Sequence, residues 1–355
     1  MTDKKAIIAM SGGVDSSVAA YIIKEKGYQA MGVTLRLHDS TEQSQCEKAC
    51  CSLDDIEDAK QVARRLGIEH YTFNFKEDFG REVIDRFISD YENGRTPNPC
   101  IECNRRIKFK RLLERAKEIG YDYVVTGHYA RIEEKDGRFL LKKGLDRSKD
   151  QSYVLYSMTQ EQLKHTLFPL GELTKDEVRR IAEEQGFINA RKKDSQDICF
   201  VPDGDYASFI ESYTGRKYPE GDFVDLEGNV LGRHLGIIRY TVGQRKGLRL
   251  ALPKPMYVCR TELESNRVIL GDNEDLFSRE LDAEDVNLIA CDRIDKPIRV
   301  TAKIRYSQGE YPATVTQTDD RHIHIVFDEP QRAITKGQAV VMYDGDTVVG
   351  GGVIC

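Results

Sequence analysis

The sequence predicts an α/β protein with an N-terminal doubly wound parallel sheet, a small central β-rich domain and a C-terminal β-barrel. Strand and helix patterns alternate over residues 1–130, which is typical of a mostly parallel sheet. After residue 205 short alternating runs separated by Gly, Asp and Asn turns dominate, as in small β domains and barrels. A chain of 355 residues has room for two or three domains. We therefore place domains at 1–205, 206–281 and 282–355.

The N-terminal part alternates buried strands with amphipathic helices. Apolar runs predict strands at 6–10, 30–35, 71–75 and 123–125. Helical spacing predicts helices at 16–26, 53–66, 79–91 and 106–119, and Gly27 and Gly67 end the first two. Asp136-Gly137 predicts a hairpin turn within 131–143, and Thr174 to Glu177 is a capping box for a helix that closes at Gly186. The β-type runs lie at 222–241, 255–271 and 285–354.

Composition and charge exclude several classes of protein. The mean hydropathy is −0.52, and no apolar run approaches the roughly 18–20 residues of a membrane span. The apolar run at 6–10 is too short for a signal peptide, so we expect a cytoplasmic protein. A net charge of −6 argues against a non-specific nucleic-acid coat, although not against a local basic surface. Nine cysteines, an odd number, predict reduced thiols rather than a disulfide framework.

The first predicted strand leads into Ser11-Gly-Gly-Val-Asp-Ser-Ser17, where a helix begins. Glycines let the backbone turn sharply and bring amide N–H groups close to an anion, and the helix N-terminus adds donors and positive potential. Ser11, Ser16 and Ser17 supply further donors to phosphate oxygens, and Asp15 is a candidate ligand for Mg²⁺. The loop is neither a Walker loop nor a dinucleotide fingerprint. An ordinary strand–turn–helix corner is the alternative, but the full loop favours phosphate binding.

This loop resembles that of the PP-loop ATP pyrophosphatases, which have a HUP-like fold. In that family the loop holds the pyrophosphate of ATP while a substrate oxygen attacks the α-phosphate. AMP is transferred to the substrate and pyrophosphate leaves, so that a poor leaving group becomes a good one. Ammonia or sulfur then attacks the activated carbon.

Three cysteines suit sulfur chemistry. Cys100 and Cys103 lie in a Pro-rich loop that precedes an arginine-rich helix, and Cys199 lies in the segment 194–200. The helix dipole and the neighbouring arginines would favour the thiolate of Cys103, and a thiolate is the competent sulfur nucleophile. Two buried thiols or a structural metal half-site would explain a lone Cys-x-x-Cys pair equally well.

Taken together, eight motifs are similar to those of the tRNA-specific 2-thiouridylases, which thiolate the wobble uridine of certain bacterial tRNAs. They occur in order along nearly the whole chain. They are AMSGGVDSS (9–17), GRTPNPCIECNRRIKFK (94–110), TGHYAR (126–131), KDQSYVL (149–155), KDSQDICFVP (193–202), YTVGQRKGL (240–248), RYSQ (305–308) and KGQAVV (336–341).

The resemblance implies a role for each matching residue. ATP, with Mg²⁺, would be bound by Ala9, Met10, Ser11, Gly12, Gly13, Val14, Asp15, Ser16, Leu35 and Gly127. Cys199 would receive sulfur as a persulfide from a sulfur-relay protein or cysteine desulfurase. Cys103 would attack that persulfide, releasing hydrosulfide or leaving a Cys103–Cys199 disulfide as the sulfur reaches C2 of uridine. The target base would meet Asn98, Pro99 and Cys100, and the anticodon region of tRNA would meet His128, Lys149, Asp150, Gln151, Arg305, Tyr306 and Gln338.

Some details depart from the family pattern or stay open. Some members carry Asp where this chain has Cys100, and that carboxylate is a candidate acid/base group; a thiol can also carry protons, but with a different pKa. Cys100, Cys103 and Cys199 are alternatively the ligands of an iron–sulfur cluster with one open iron. Cys46, Cys50 and Cys51, with His38, are a candidate zinc site, although adjacent cysteines suit a tetrahedral site poorly and a non-essential loop is favoured.

Two basic segments are candidates for RNA contact. Residues 228–261 carry seven basic side chains and no carboxylate, which favours contacts with RNA phosphates. Residues 104–117 carry seven basic side chains against Glu114, and a solvated helix face explains them when they are taken alone. Tyr240, Tyr257 and Tyr306 are candidate stacking groups. Two other functions compete with tRNA thiolation: a PP-loop ligase that delivers nitrogen to a small molecule, and a non-catalytic RNA-binding protein.

Overall fold

The computed structural model describes residues 4–38, 53–194, 198–201 and 203–355, which pack as two compact units. The first unit contains Met1–Ile84, Pro99–Gly204 and Gly345–Gly350. The second contains Asp85–Asn98, Asp205–Asp344 and Gly351–Cys355. The predicted three-domain division at 205 and 281 stays a prediction.

The first unit is built on a five-stranded sheet in which every neighbouring pair is parallel. Its first elements are β1 (Lys5–Ala9), α1 (Val14–Glu25), β2 (Gln29–Arg36), α2 (Leu53–Leu66) and β3 (Glu69–Asn74). The helical segments that follow are α3 (Lys76–Phe79), a π-helical turn (Gly80–Ile84), α4 (Asp85–Glu92, in the second unit), α5 (Pro99–Glu102), a π-helical stretch (Cys103–Arg111) and α6 (Leu112–Glu118). The remaining elements are β4 (Tyr123–Val125), β5 (Ala130–Lys135), β6 (Arg138–Lys143), a 3₁₀ turn (Ser152–Leu155), α7 (Gln160–Lys164), β7 (Thr166–Leu167) and α8 (Lys175–Glu184).

The strand order β3-β2-β1-β4-β7 places β1 in the middle of this sheet. The chain therefore builds outward on one side of β1 first and on the other side afterwards, which makes the carboxyl end of β1 the topological switch point. In open parallel sheets the ligand crevice lies at that point. The predicted phosphate loop follows β1 directly, so the fold places it where a ligand site is expected.

The side chains of β1 are buried on both faces of the sheet. Ala6 and Ile8 pack into one core with α1, α2 and α8, whereas Ile7, which faces the other way, is also fully buried. A strand buried on both faces is characteristic of a doubly wound α/β sheet, and this part of the predicted fold class is confirmed.

Two local predictions in the first unit are also confirmed. Strands β5 and β6 pair as an antiparallel hairpin, and Asp136 and Gly137 at its turn have φ values of 51° and 77°, as a type I′ turn requires. At the start of α8 the Thr174 hydroxyl accepts from the backbone N–H of Glu177, while the Glu177 carboxylate accepts from the backbone N–H of Thr174. This reciprocal pair is the predicted capping box.

The second unit contains a four-stranded sheet and an antiparallel barrel. Its first elements are α9 (Tyr206–Thr214), β8 (Gly221–Val224), β9 (Val230–His234), a 3₁₀ turn (Ile237–Arg239), β10 (Tyr257–Glu262), β11 (Arg267–Gly271) and a 3₁₀ turn (Glu274–Leu276). The barrel strands are β12 (Phe277–Leu288), β13 (Ile298–Lys303), β14 (Tyr311–Gln317), β15 (Ile323–Arg332), β16 (Ala339–Asp344) and β17 (Thr347–Ile354), the last of which begins within the first unit.

The barrel closes because β12 pairs with β17 as well as with β15. Along its strands, alternate residues point inward, and Ala313, Val315, Ile323, Ile325 and Phe327 are almost completely buried. The smaller sheet has the order β10-β11-β8-β9 and packs Phe223, Tyr240 and Val268 into a core of its own. The predicted β-rich region and C-terminal barrel are therefore both present.

Sequence reasoning missed α9, which opens this β-rich region. Asp205 caps the helix by accepting from the backbone N–H of Ser208 at 3.0 Å, and Gly215 ends it in the left-handed conformation at φ 68°. A capping aspartate and a terminal glycine on either side of a nine-residue helix are ordinary helix boundaries. Among the helices of the described ranges, none has both the length and the apolar character that crossing a bilayer requires.

Candidate active site

The loop after β1 is held against its neighbours by backbone contacts. Met10 donates its N–H to the carbonyl of Val33 at 2.8 Å and accepts from the Thr34 hydroxyl at 2.8 Å, so the end of β1 is fixed to β2. Gly12 has φ +76°, and a Cβ there would lie 2.7 Å from the Cα of Asp55. Only glycine fits this position, because a side chain would collide with the backbone at the start of α2.

The N-terminus of α1 faces this loop without a side-chain cap. The residue before the helix is Gly13, whose carbonyl accepts from the Ser16 hydroxyl at 3.0 Å and from the Ser17 hydroxyl at 3.1 Å. The backbone N–H of Ser11 donates to Ser16 Oγ at 3.2 Å. First-turn amides and the helix dipole together make this end of α1 attractive to an anion such as phosphate.

The ten residues that the resemblance assigns to ATP lie at the carboxyl edge of the sheet. Ala9 ends β1, Met10 to Ser16 form the loop and the first turn of α1, and Leu35 lies near the end of β2. Gly127 follows β4, and a Cβ on it would lie 2.8 Å from the backbone carbonyl carbon of Asp15. The three neighbouring strands β2, β1 and β4 therefore bring these residues together.

Two supporting residues escaped sequence reasoning because they are distant in the chain. Asn189, 2% exposed, donates from Nδ2 to the Gly12 carbonyl and to Ser17 Oγ, both at 2.9 Å. Lys192 Nζ lies 2.6 Å from Asp55 and 2.7 Å from Asp58 and so ties the segment after Asn189 to α2. Their sequence neighbourhood carries no motif that signals these contacts.

Asp15 is held by a lysine and a tyrosine of the first unit. Lys175 Nζ lies 2.8 Å from each of its carboxylate oxygens, and the Tyr129 hydroxyl donates to Oδ1 at 2.8 Å. Burial, and then the adjacent Asp15 carboxylate, raise the pKa of Tyr129, so this hydroxyl stays protonated. The role of a magnesium ligand that the sequence suggested for Asp15 stays a prediction. No group of three His, Cys, Asp or Glu side chains within the described ranges is arranged to hold a metal ion.

Lys175 also contacts Asp194, five residues before Cys199. Its Nζ lies 2.7 Å from Asp194 Oδ1, and Lys149 Nζ lies 2.8 Å from Asp194 Oδ2. Burial raises the pKa of Asp194, but the hydrogen bonds from Lys149 and Lys175 outweigh it and bring the pKa to about 2. Asp194 is therefore ionised throughout the physiological range.

The helix that carries the Cys-x-x-Cys pair begins earlier than predicted. The sequence analysis started it at residue 106, whereas α5 begins at Pro99, a favourable first position because proline lacks the N–H that would be unpaired there. Cys100 thus lies in the first helical turn and is exposed, whereas Cys103 lies in the second turn and is 8% exposed. Six cysteines of the described ranges, including Cys100, Cys103 and Cys199, take part in no disulfide bond.

The segments of Cys103 and Cys199 both pack on the stretch Lys76–Ile84. Phe200, adjacent to Cys199, packs edge to face on Phe79 with ring centroids 5.8 Å apart. Arg106, three residues after Cys103, pairs with Glu82 at 3.5 Å, and Arg111 pairs with Asp78 at 3.3 Å. The two candidate catalytic cysteines therefore belong to segments supported by the same short helical element.

Several residues that the resemblance assigns to RNA have structural contacts within the first unit. His128 is 8% exposed, packs on Phe109 and Phe168, and shares a 2.7 Å hydrogen bond between Nδ1 and the Thr126 hydroxyl. Asp150 accepts from the backbone N–H of Gly144 at 2.9 Å and from the Ser152 hydroxyl at 2.8 Å. Gln151 Oε1 accepts from the backbone N–H of Tyr129 at 3.0 Å.

Of the other residues assigned to RNA or to the target base, the second unit contains Asn98, Arg305, Tyr306 and Gln338, and the first contains Pro99 and Cys100. Arg305 donates from one terminal nitrogen to Val242 O, Ala333 O and Thr335 Oγ1 at 2.6–3.1 Å, and Gln338 donates to Thr96 O at 2.7 Å. Tyr306 is 44% exposed, so its ring is open to solvent. In the target-base segment Asn98 is half-buried, Pro99 is buried and Cys100 is exposed. All these roles in RNA or base contact stay predictions, and the candidate zinc cysteines 46, 50 and 51 lie outside the described residues.

The two basic segments differ in how their charges are paired. In 104–117 carboxylates pair with Arg106, Arg111, Arg115 and Lys117. In 228–261 carboxylates pair with Arg233, Arg239, Lys254 and Arg260. By contrast Arg245, Lys246 and Arg249 are exposed and form no ion pair with any other residue that the structure describes. Of the candidate stacking groups, Tyr240 is only 7% exposed and packs on Phe223.

Comparison with known proteins identifies the family. Residues 4–203, 207–272 and 278–354 match family models described as a tRNA methyl transferase HUP domain, a tRNA methyl transferase PRC-barrel domain and an aminomethyltransferase β-barrel domain. The tRNA-specific 2-thiouridylase MnmA of Clostridioides difficile (strain 630) is 54% identical over 354 residues, covering 99% of this chain and 98% of that protein. The chain belongs to the tRNA-specific 2-thiouridylase family. A second 2-thiouridylase of this name, from Acetivibrio thermocellus, is 52% identical over 358 residues and matches over the full length of both chains.

These matches confirm the family that the eight motifs predicted. A more remote likeness is to the crystal structure of a 4-thiouridine synthetase–RNA complex with bound ATP, at a TM-score of 0.40 and 19% identity, covering 59% of this chain and 50% of that chain.

Proposed function

We propose that the chain converts the wobble uridine of tRNA to 2-thiouridine by ATP-dependent sulfur transfer, with Cys199 as the sulfur carrier and Cys103 as its partner. The proposal rests on the family and on the placement of both cysteine segments against Lys76–Ile84, in the same unit as the glycine loop. That shared support is the observation that favours sulfur transfer over an amidating ligase, which has no use for the pair. A non-catalytic RNA-binding protein would need neither the loop nor the cysteines.

The glycine loop fits the phosphates of ATP. Its backbone is held close to α2 at Gly12, and the uncapped first turn of α1 directs amide donors to the switch point of the sheet. When ATP is bound, it supplies the AMP group that turns the O2 oxygen of uridine into a leaving group. Since Asp15 is held by Lys175, we assign the magnesium ion to the phosphates of ATP.

The sulfur step balances in atoms and electrons. A sulfur donor protein leaves a persulfide on Cys199. Thiolate attack by Cys103 on the Cys199 Sγ forms a Cys103–Cys199 disulfide and releases the outer sulfur as hydrosulfide, which adds to C2 as AMP leaves. If the outer sulfur attacks C2 first, Cys103 then cleaves the sulfur–sulfur bond and the same disulfide results. Each turnover therefore needs two electrons from an external dithiol to restore both thiols.

This route is favoured over the iron–sulfur alternative by the arrangement of the cysteines. A cluster held by Cys100, Cys103 and Cys199 requires the three thiols to converge. No metal-binding group of three such side chains occurs within the described ranges. Cys100, exposed in the first turn of α5, is assigned to the face of the target base instead.

One reaction tests the proposal. Purified protein is incubated with unmodified tRNA, ATP, Mg²⁺ and sulfide, and the nucleosides are analysed by mass. We expect 2-thiouridine together with AMP and pyrophosphate in equal amounts. An arm with S-adenosylmethionine in place of ATP addresses the methyl transferase named by the family models. Methylated nucleoside without thiouridine would overturn the proposal, as would tRNA binding without pyrophosphate release.

Cysteine variants test the assigned roles. With sulfur delivered by a donor protein, Cys199→Ser and Cys103→Ser should each abolish thiouridine formation while tRNA-dependent pyrophosphate release persists. Cys355→Ser is the matched control, because Cys355 is an exposed cysteine to which no role is assigned. Equal activity of the Cys199 and Cys355 variants would remove Cys199 from the mechanism.

A further inference from the structure

Lys175 contacts two aspartates of the first unit that are far apart in sequence: Asp15 in the glycine loop and Asp194, five residues before Cys199. It is the first residue of α8, and its side chain is 8% exposed. An ammonium group has three N–H donors, and three carboxylate oxygens surround Nζ: both of Asp15, at 2.8 Å, and Oδ1 of Asp194, at 2.7 Å. Lys175 is therefore hydrogen-bonded to Asp15 and ion-paired with Asp194.

Asp194 is the second junction in this network. Its Oδ1 faces Lys175, and its Oδ2 faces Lys149 Nζ at 2.8 Å. The two lysines and the two aspartates balance in charge, and the Arg179 guanidinium, 3.7 Å from Asp194 Oδ1, adds a further positive charge on the side of Asp194. Removing one partner from such a half-buried network leaves a charge unpaired, which costs several kcal/mol in well-buried cases. The four side chains are therefore expected to keep their positions together.

The two aspartates lie close in sequence to the two halves of the proposed reaction, nucleotide binding and sulfur transfer. Asp15 is the second residue of α1 and part of the glycine loop, whereas Asp194 lies five residues before Cys199. We propose that Lys175 and Asp194 are positioning residues that hold the Cys199 segment in register with the nucleotide loop, so that a nucleotide in the loop alters the reactivity of the Cys199 thiol. This inference rests on the proposed function, because it gives Cys199 its sulfur-carrying role.

The network predicts that Asp194 serves the sulfur half of the reaction and not the adenylation half. Asp194→Asn leaves both contacts of Lys175 with Asp15 in place, so the glycine loop keeps its support. The same change removes the charge that Lys175 and Lys149 share on the Cys199 side. Lys175→Met, by contrast, leaves both aspartates without this partner and is expected to be the less stable variant.

The kinetic test separates the two halves. For Asp194→Asn we expect tRNA-dependent pyrophosphate release within about twofold of wild type, and thiouridine formation from a persulfide donor slower by about tenfold or more, as misplaced reacting groups produce. The matched control is Asp346→Asn, because Asp346 also bridges two cations, Arg131 at 3.0 Å and Arg147. Equal losses in both half-reactions, or the same split in the control, would overturn the inference.

The second readout is the alkylation rate of Cys199, measured by peptide mass in the full-length protein. A non-hydrolysable ATP analogue should change this rate by about fivefold or more in wild type, the lower range of typical coupling between sites. The rate at the exposed Cys355 serves as the internal reference. Asp194→Asn should abolish the effect while still binding the analogue, and Lys175→Arg should retain more of it than Lys175→Met.

These measurements distinguish failure of the inference from failure of the proposed function. If wild type releases no pyrophosphate with tRNA, the proposed function fails. If wild type thiolates tRNA but the analogue leaves Cys199 alkylation unchanged, or changes it equally in Asp194→Asn, the positioning role fails and the proposed function stands.

Discussion

Gly12 lies so close to the backbone of Asp55 that a Cβ on Gly12 would be 2.7 Å from the Asp55 Cα. Gly12→Ala therefore meets two penalties, a left-handed backbone at φ +76° and a collision with α2. The backbone penalty alone is about 1–2 kcal/mol. We expect a larger total loss of unfolding free energy, together with loss of ATP-dependent pyrophosphate release.

Gly137→Ala is the matched control for this prediction. Gly137 has nearly the same φ, +77°, but, its chain neighbours apart, no atom of the described residues lies within 4 Å of the position of its Cβ. Gly137→Ala should lose only the unfolding free energy that corresponds to the backbone penalty, and it should keep its activity. Denaturant unfolding and pyrophosphate release of both variants measure the difference, and equal losses would mean that the contact with Asp55 is unimportant.

The packing of Phe79 on Phe200 predicts how readily Cys103 and Cys199 form a disulfide under mild oxidation. In Phe79→Leu the edge-to-face pair is lost, which is worth about 1 kcal/mol. If that packing fixes the Cys199 segment, formation of the disulfide should slow by about fivefold, the rate equivalent of that energy. Peptide mapping after timed oxidation measures the rate.

Phe223→Leu controls for the loss of a buried phenylalanine. Phe223 is also fully buried, and it packs edge to face on Tyr240, with centroids 5.0 Å apart, in a core of the second unit. Its oxidation rate should match that of wild type. A slower rate in both variants would point to general destabilisation instead of the Phe79–Phe200 contact.

Local sequence signals predicted much of the fold and part of the site. The Ser11–Ser17 loop, the Asp136-Gly137 turn and the Thr174 capping box all depend on contacts within a few residues, and all occur in the structure. What escaped prediction depends on distant partners. Asn189 reaches Gly12 across 177 positions, and Lys175 reaches Asp15 across 160. Such contacts are set by how the elements pack, and a single sequence does not encode them in any spacing.

The buried ring of His128 predicts a pH-dependent contribution to stability. Burial, and then the positive charge of Lys108, hold the pKa of His128 well below its usual value, so the ring is neutral in the folded protein. Its contribution is fully present above the ordinary pKa of about 6.5 and is lost as the pH falls, because the unfolded chain takes up a proton that the folded state resists.

Comparison of His128→Gln with wild type isolates this effect. Unfolding free energies measured by denaturant from pH 8 to pH 5 should show wild type losing stability more steeply on acidification, by at most about 1.4 kcal/mol per pH unit. The difference in unfolding free energy between wild type and His128→Gln should therefore shrink as the pH falls. Parallel curves would show that His128 does not resist protonation in the folded state.

The unpaired charges of Arg245, Lys246 and Arg249 predict the salt dependence of tRNA binding. An exposed cation without a carboxylate partner in the described ranges is available for a phosphate, and each phosphate contact adds about 0.7–0.9 to the slope of log affinity against log salt. Arg249→Gln should lower the slope by about that amount. Arg233→Gln is the matched control, because Arg233 is also exposed but pairs with Asp222 at 3.0 Å, so its slope should stay that of wild type. If the two variants lost equal slope, carboxylate pairing would not decide which arginines of 228–261 contact RNA.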